Sequence, residues 1–311
     1  MGKLVSGDHH RGELVSRPAW FSGTGGLRLA GEAWGDPKAP PVVMLHGAGQ
    51  TRHAWGVAAE ALAGSGWYVV AADLRGHGDS DWPRDAAYTL EAFADDVAAV
   101  TDSFGEPPVV VGASLGGLAA LVAQGGAPHQ LYRALVLVDI TPKLEANGVQ
   151  RVLAFMAAHL DGFRSLEEAS AVITRYLPDR PARGNLEGLT RVLRQSPDGR
   201  WRWRWDPRFA TVLRDLAADD PHRLTQRTEE INRLLTNAAR RVQVPTLIIR
   251  GGRSDVTSDH GVAEFLTAVP HADHVTVAEA GHMVAGDHND AFTAAVAGFL
   301  SRLTTTPGLT P

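Results

Sequence analysis

Ser114 sits in the run Val109-Val110-Val111-Gly112-Ala113-Ser114-Leu115-Gly116-Gly117, where a β-branched stretch passes directly into helix-forming sequence. Glycines stand two positions before and two after the serine, the pattern of a nucleophile elbow. A serine hydroxyl can do covalent chemistry when a sharp, strained turn makes it project, and side chains at the flanking positions would then collide with the strand and the helix. A helix opening after Ser114 aims backbone N–H groups and its positive dipole end at the space beside the hydroxyl, beginning with the amide of Leu115. This arrangement suits attack on a carbonyl carbon with the oxyanion held by amide hydrogens. The bare five-residue pattern also fits an ordinary glycine-rich turn, and the strand before and helix after favour the nucleophile.

Composition narrows the alternatives. The 311 residues contain no cysteine, which excludes disulfides, thiolate metal sites and cysteine nucleophiles. Hydrophobic residues at 44% and charged residues at 21% are those of a globular protein, and a formal net charge of -5 provides no basic surface for nucleic acid. The N-terminal stretch lacks an apolar run of signal-peptide length, and no run reaches the roughly eighteen apolar residues of a membrane span. Cytoplasmic residence is the resulting expectation, with residues 1–19 as a solvated arm.

The elements that must position Ser114 follow from short apolar runs. Two segments around Gly25 and Gly26, from Trp20 to Trp34, read as a hairpin. Then PVVMLHG, WYVVAADLRGHG, PPVVVGASLGG, ALVLVDITP, PTLIIRGG and DHVTVAEAGH read as six strands. Their apolar residues run continuously, as in parallel strands covered on both faces, and helical segments separate them. Helices are predicted over His53 to Ala63, Leu90 to Phe104, Leu115 to Gln124, Asp259 to Ala268 and Asn289 to Leu303. The alternation lapses over 142–241, which carries helical periodicity but no strand of the buried kind and reads as an inserted helical cap. Its helices are placed at Gly148 to His159, Leu166 to Tyr176, Leu186 to Arg194 and Thr225 to Ala239, punctuated by Pro178, Pro181, Pro197 and Pro207. The core is then 20–141 with 242–305, followed by a frayed tail at 306–311.

With these landmarks in order around Ser114, the sequence resembles the α/β-hydrolase family over nearly its whole length, most of all bacterial esterase and cofactor-free perhydrolase-like members with a helical cap. The resemblance implies an α/β fold with a mostly parallel central sheet flanked by helices. It also makes Leu45-His46-Gly47-Ala48-Gly49 the oxyanion loop, so that the amide of Ala48 joins that of Leu115 as a donor. His46 and the run Asp73-Leu74-Arg75-Gly76-His77-Gly78-Asp79-Ser80 are read as structural.

A serine hydroxyl needs an imidazole to take its proton, and the imidazole needs a carboxylate to hold its tautomer and its charge. The family order of serine, acid, histidine points to His282 in Ala278-Glu279-Ala280-Gly281-His282-Met283. The later histidines His129, His159, His222, His260, His271, His274 and His288 read as solvated surface. For the acid, the resemblance favours Asp255, just beyond Leu247-Ile248-Ile249, with Asp139 after Val136-Leu137-Val138 as the rival and Asp259 as a surface or helix-capping residue. A cluster of His282, Asp287, His288 and Asp290 could suggest a metal, but acidic residues opening a helix explain it better. No metal or cofactor is called for.

Substrate choice would lie in the cap. Between Arg151 and Arg208 eleven Arg face seven Asp or Glu, which allows an acidic substrate group but equally a solvated face. In Trp201-Arg202-Trp203-Arg204-Trp205 an extended backbone would put three indoles on one face, either lining a pocket or anchoring the cap. Phe155, Met156 and Phe163 are further pocket or core candidates. The resemblance implies hydrolysis of a carboxylic ester in a small molecule. Lactone opening, carbon–carbon bond hydrolysis and cofactor-free perhydrolysis (haloperoxidase activity) are alternatives on the same triad, and a non-catalytic ligand receptor of the same fold is the rival from another class. Epoxide hydrolases and haloalkane dehalogenases are disfavoured, since they carry Asp where this chain has Ser114. Neither nucleic acid nor membrane is an expected partner, and oligomeric state is left open.

Overall fold

A computed structural model describes residues 15–177, 186–211, 221–284 and 289–305. Eight strands form one sheet: β1 (Arg17–Ser22), β2 (Arg28–Trp34), β3 (Pro41–Leu45), β4 (Tyr68–Ala72), β5 (Val109–Ala113), β6 (Ala134–Val138), β9 (Thr246–Gly251) and β10 (Asp273–Val277). Their order is β1-β2-β4-β3-β5-β6-β9-β10. The β1–β2 and β2–β4 pairings are antiparallel and the rest are parallel. The hairpin thus sits at the sheet edge, and β1 begins at Arg17, so residues 17–19 belong to the sheet and not to a solvated arm.

Continuous apolar runs divide between the two faces by strand alternation. Val43, Val110, Leu135, Leu137 and Ile248 enter one core, while Val42, Val109, Val111, Val136, Leu247 and Ile249 enter the other. The first core is closed by α2 (Leu90–Thr101), α3 (Leu115–Gly126), α6 (Pro221–Arg240) and α7 (Asp259–Ala268), which contribute Phe93, Leu121, Leu235 and Phe265. The second is closed by α1 (Gly56–Ala63) and α8 (Asn289–Thr305), through Leu62, Phe292, Val296 and Phe299. The chain lays down β3 and β4, then returns to the other side of β3 for β5, so the strand order reverses between β3 and β5. At such a switch point the loops leaving the carboxyl ends of the strands diverge and leave a crevice. The loop after β3 and the turn after β5 carry Ala48 and Ser114.

The insertion between β6 and β9 contains α4 (Ala146–Ala157) and α5 (Leu166–Tyr176), close to the predicted helices. The helix expected over Leu186 to Arg194 is instead a 3-10 turn at Glu187–Arg191 followed by β7 (Leu193–Gln195), which pairs antiparallel with β8 (Trp201–Trp203). The hairpin turns through Ser196 to Arg200, with Gly199 at φ 81°. Trp203 faces inward against Leu193, a cross-strand pairing that outweighs the helical propensity of an isolated stretch. Pro178 and Pro181 lie outside the described residues. Among the described residues no helix is long and apolar enough to cross a membrane.

Candidate active site

β5 runs into α3 through Ser114, whose backbone lies at φ 46° and ψ -119°. Such a conformation costs a non-glycine residue on the order of 1–3 kcal/mol and persists only where its neighbours impose it. Ser114 N donates to Val138 O at 3.1 Å, Gly116 N donates to His46 O at 3.1 Å, and Leu118 N donates to Ser114 O at 2.9 Å. A Cβ at Gly112 would meet the Cα of Gly117 at 2.6 Å, and one at Gly116 would meet Leu45 O at the same distance. Only glycine permits these backbone approaches.

His282 follows β10 and turns its ring over the carboxyl end of the sheet. Its Nδ1 donates to Asp139 Oδ2 at 2.7 Å, and its Nε2 faces Ser114 Oγ at 3.3 Å. Asp139 is the residue directly after β6, the neighbour of β5, and the pairing of Ala113 with Val138 sets Ser114 and Asp139 side by side in register. Asp139 is fully buried with φ 50°, and it accepts from Gly251 N at 2.9 Å and from the Ser254 hydroxyl. These bonds compensate a buried carboxylate and fix the oxygen that meets His282.

Asp255, the expected acid, is engaged elsewhere. Its two oxygens accept from Arg151 Nε and Nη2 at 2.6 and 2.8 Å, and among the described residues it makes no hydrogen bond to His282. Arg151, and to a lesser degree His282, hold its carboxyl below the usual aspartate range. Gly148 on α4 packs so closely that a Cβ there would meet Asp255 O at 2.1 Å, and Glu145 N donates to Val256 O at 2.9 Å. The loop after β9 therefore serves in two ways: Gly251 and Ser254 orient Asp139, while Asp255 seats the insertion. The sequence signal for Asp139 was its place at the end of a strand, and what was missing was the adjacency of β6 to β5.

The loop after β3 lies against the elbow, since a Cβ at Gly47 would meet Ser114 Cβ at 3.1 Å. Gly47 N donates to Gln50 Oε1, Gly49 N to His77 Nε2 and Gly116 N to His46 O. The amides of Ala48 and Leu115, between these, have no hydrogen-bond partner among the described residues. Gln50 Nε2 also reaches Met283 Sδ at 2.8 Å, linking this loop to the one that bears His282.

A cavity of about 340 Å³ opens above Ser114 and His282. Its walls are mostly apolar and come from the core loops and the insertion alike, the insertion contributing Phe155, Met156, Ile173, Tyr176, Trp203 and Trp205. Phe155 stacks on Tyr176 with ring centroids 3.9 Å apart and meets Trp203 edge-on at 5.6 Å. Phe163 is fully buried beside Trp203 and lies in the core. The indoles of Trp203 and Trp205 thus line the cavity and anchor the insertion at once. The arginines that alternate with the tryptophans of this run turn into ion pairs, Arg202 with Asp198 and Arg204 with Asp79. Arg151 and Arg208 are likewise paired, with Asp255 and Asp206, so much of the local positive excess is internally matched. Of the metal-like cluster, Asp287 and His288 lie outside the described residues; among those described, no group of three or more His, Cys, Asp or Glu could hold a metal ion.

His46 and His77 are both fully buried, with rings 5.2 Å apart. Burial lowers His46 from the ordinary 6.5 to about 4 and His77 to about 3. The unfolded chain therefore takes up protons below pH 6.5 that the folded chain refuses. Stability from this pair is full above that pH and falls by about 1.4 kcal/mol per pH unit for each histidine. The loss continues to about 4 for His46 and about 3 for His77. Urea midpoints are expected to be level from pH 8 to about 6.5 and to drop steeply by about pH 5; a midpoint unchanged down to pH 4.5 would contradict buried neutral rings.

A family model for the alpha/beta hydrolase family matches residues 42–295, from β3 into α8. The chain belongs to the α/β-hydrolase family. A 3-hydroxybutyrate-oligomer hydrolase of Cupriavidus necator is 30% identical over 82% of this chain and 87% of its own length. An esterase of Mycobacterium tuberculosis is 31% identical over 86% of this chain and 84% of its own. Among solved structures, that of E-2-(acetamidomethylene)succinate hydrolase superposes with a TM-score of 0.78 at 23% identity, covering 92% of this chain and all of the other, a likeness of fold. These relatives are named as hydrolases and esterases, and this α/β-hydrolase is an enzyme.

Proposed function

We propose that this α/β-hydrolase cleaves a carboxylic ester of a small molecule through an acyl-enzyme on Ser114, with His282 as base, Asp139 as acid and the amides of Ala48 and Leu115 as the oxyanion hole. The observation that carries the reading is the hydrogen-bonded line from Ser114 Oγ to His282 Nε2 and from Nδ1 to Asp139, at 3.3 and 2.7 Å, beneath an apolar cavity. Ser114 Oγ attacks the ester carbonyl while its proton passes to His282 Nε2, and Asp139 stabilises the imidazolium through Nδ1. The two amides hold the tetrahedral oxyanion. Collapse breaks the ester C–O bond, and the leaving alkoxide takes the proton from His282. Water, deprotonated by the same nitrogen, then attacks the acyl carbon, releasing the carboxylic acid and restoring the Ser114 hydroxyl. No cofactor enters these steps.

The insertion over 142–241 acts as a cap in this reading, because Phe155, Tyr176, Trp203 and Trp205 from it line the cavity that holds Ser114 and His282. The relatives' names point the same way, one to 3-hydroxybutyrate oligomers and the other to esters. Stopped-flow kinetics on p-nitrophenyl esters of increasing acyl length should show a nitrophenolate burst stoichiometric with enzyme, with kcat/KM passing through a maximum at short to medium chains. Absence of turnover on every ester would remove the ester assignment and leave the alternatives on the same triad.

A further inference from the structure

We propose that His77 is a positioning residue for the oxyanion hole: its neutral ring fixes the peptide after Ala48 and ties that peptide to the seating of the cap. The proposal rests on the ester-hydrolase reading, which makes the Ala48 amide a donor. A peptide unit is planar, so holding one of its atoms orients the others. The unit before Ala48 is held at Gly47 O, which accepts from His46 Nδ1 at 2.8 Å and from Gln50 N at 3.1 Å, and this turns the Ala48 N–H the opposite way. The unit after Ala48 is held at Gly49 N, which donates to His77 Nε2 at 3.2 Å. Gly49 itself lies at φ 74°, a conformation that glycine adopts freely, so the hydrogen bond to His77 is what selects one orientation of this peptide.

His77 can accept at Nε2 only because its other nitrogen is the protonated one. Nδ1 donates to Arg75 O at 2.9 Å, which selects the tautomer. The ring is also packed edge-on against Phe209 at 5.2 Å and lies tilted against His46 at the same separation. On either side of His77 the backbone is bonded to the cap: Gly78 N donates to Arg204 O at 2.6 Å, and Asp206 N donates to Gly76 O at 2.8 Å. The segment after β8 is therefore laddered onto the loop that carries His77, with an isolated bridge between His77 and Trp205. Trp205, on the bridging segment, lines the cavity. A continuous set of bonds runs from the cavity wall through His77 to the peptide beside the oxyanion donor.

Two near-isosteric replacements separate this role from simple packing. His77→Gln can place an acceptor near the Nε2 position, whereas His77→Asn can mimic only Nδ1. Expected for His77→Asn is a fall in kcat of roughly 10 to 100-fold with KM changed by less than about threefold, since the interaction matters where negative charge develops. His77→Gln should recover most of the loss. The affinity of phenylboronic acid, whose adduct with serine places an oxygen in the oxyanion hole, should fall in parallel with kcat. Equal effects of Asn and Gln, or an effect on KM alone, would overturn the proposal. Should neither variant fold, 15N spectra of the histidine-labelled wild type decide it: the His77 Nε2 resonance is expected to shift on boronate binding, and no shift would overturn it. Failure of the ester reading is distinguishable, because the wild type itself would then neither turn over esters nor bind the boronate.

Discussion

Ser114→Ala is expected to abolish the nitrophenolate burst and lower kcat by about six orders of magnitude, to the residue of rate that binding and the oxyanion amides supply alone. Loss of one hydroxyl has this effect because the acyl-enzyme cannot form, and His282 then has no proton to take. The fold should be unaffected. Alanine suffers the same φ of 46° as serine, and the bonds that impose the turn are made by backbone groups of Ser114 and its neighbours. Urea midpoints of variant and wild type should therefore agree within about 0.5 kcal/mol of stability. Retention of more than a thousandth of wild-type kcat in a folded Ser114→Ala protein would place the nucleophile elsewhere.

Among the described residues, Asp139 and Asp255 both lie near His282, and of these two Asp139 is bonded to it. Asp139→Asn is expected to lower kcat by about 10⁴-fold, because an amide can no longer stabilise the imidazolium and can hold the wrong tautomer. Asp255→Asn is expected to leave kcat within about threefold of wild type, since its bonds go to Arg151. Its effect should be on the seating of α4, read as a modest rise in KM. The opposite ranking, with Asp255→Asn crippled and Asp139→Asn active, would restore Asp255 as the acid and show that the loop after β9 rearranges in the working enzyme.

The difference between these two aspartates shows where sequence reading loses its grip. The strands were legible because parallel strands buried on both faces are apolar at every position, and Pro41–Leu45 and Ala134–Val138 are buried throughout. The elbow was legible because its glycines are demanded by contacts at 2.6 Å. The carboxylate that meets His282 was not, because both Asp139 and Asp255 follow strands, and the pairing depends on strand order and on which carboxylate Arg151 claims from another part of the chain. The hairpin β7–β8 was hidden for a similar reason. Leu193 to Gln195 has no strong strand pattern of its own and is extended because Trp201 to Trp203 pairs with it. His77 was visible as part of a loop, while its bond to Gly49 joins residues brought together only by the fold.

The most direct measurement is covalent trapping. The protein would be treated with a fluorophosphonate, digested, and mapped by mass spectrometry, with the Ser114→Ala variant treated alongside. A single stoichiometric phosphonyl adduct on the peptide bearing Ser114, absent from the variant and slowed in Asp139→Asn but not in Asp255→Asn, is the result predicted. An unmodified Ser114, or an adduct at another residue that persists in the variant, would contradict the nucleophile assignment on which the rest depends.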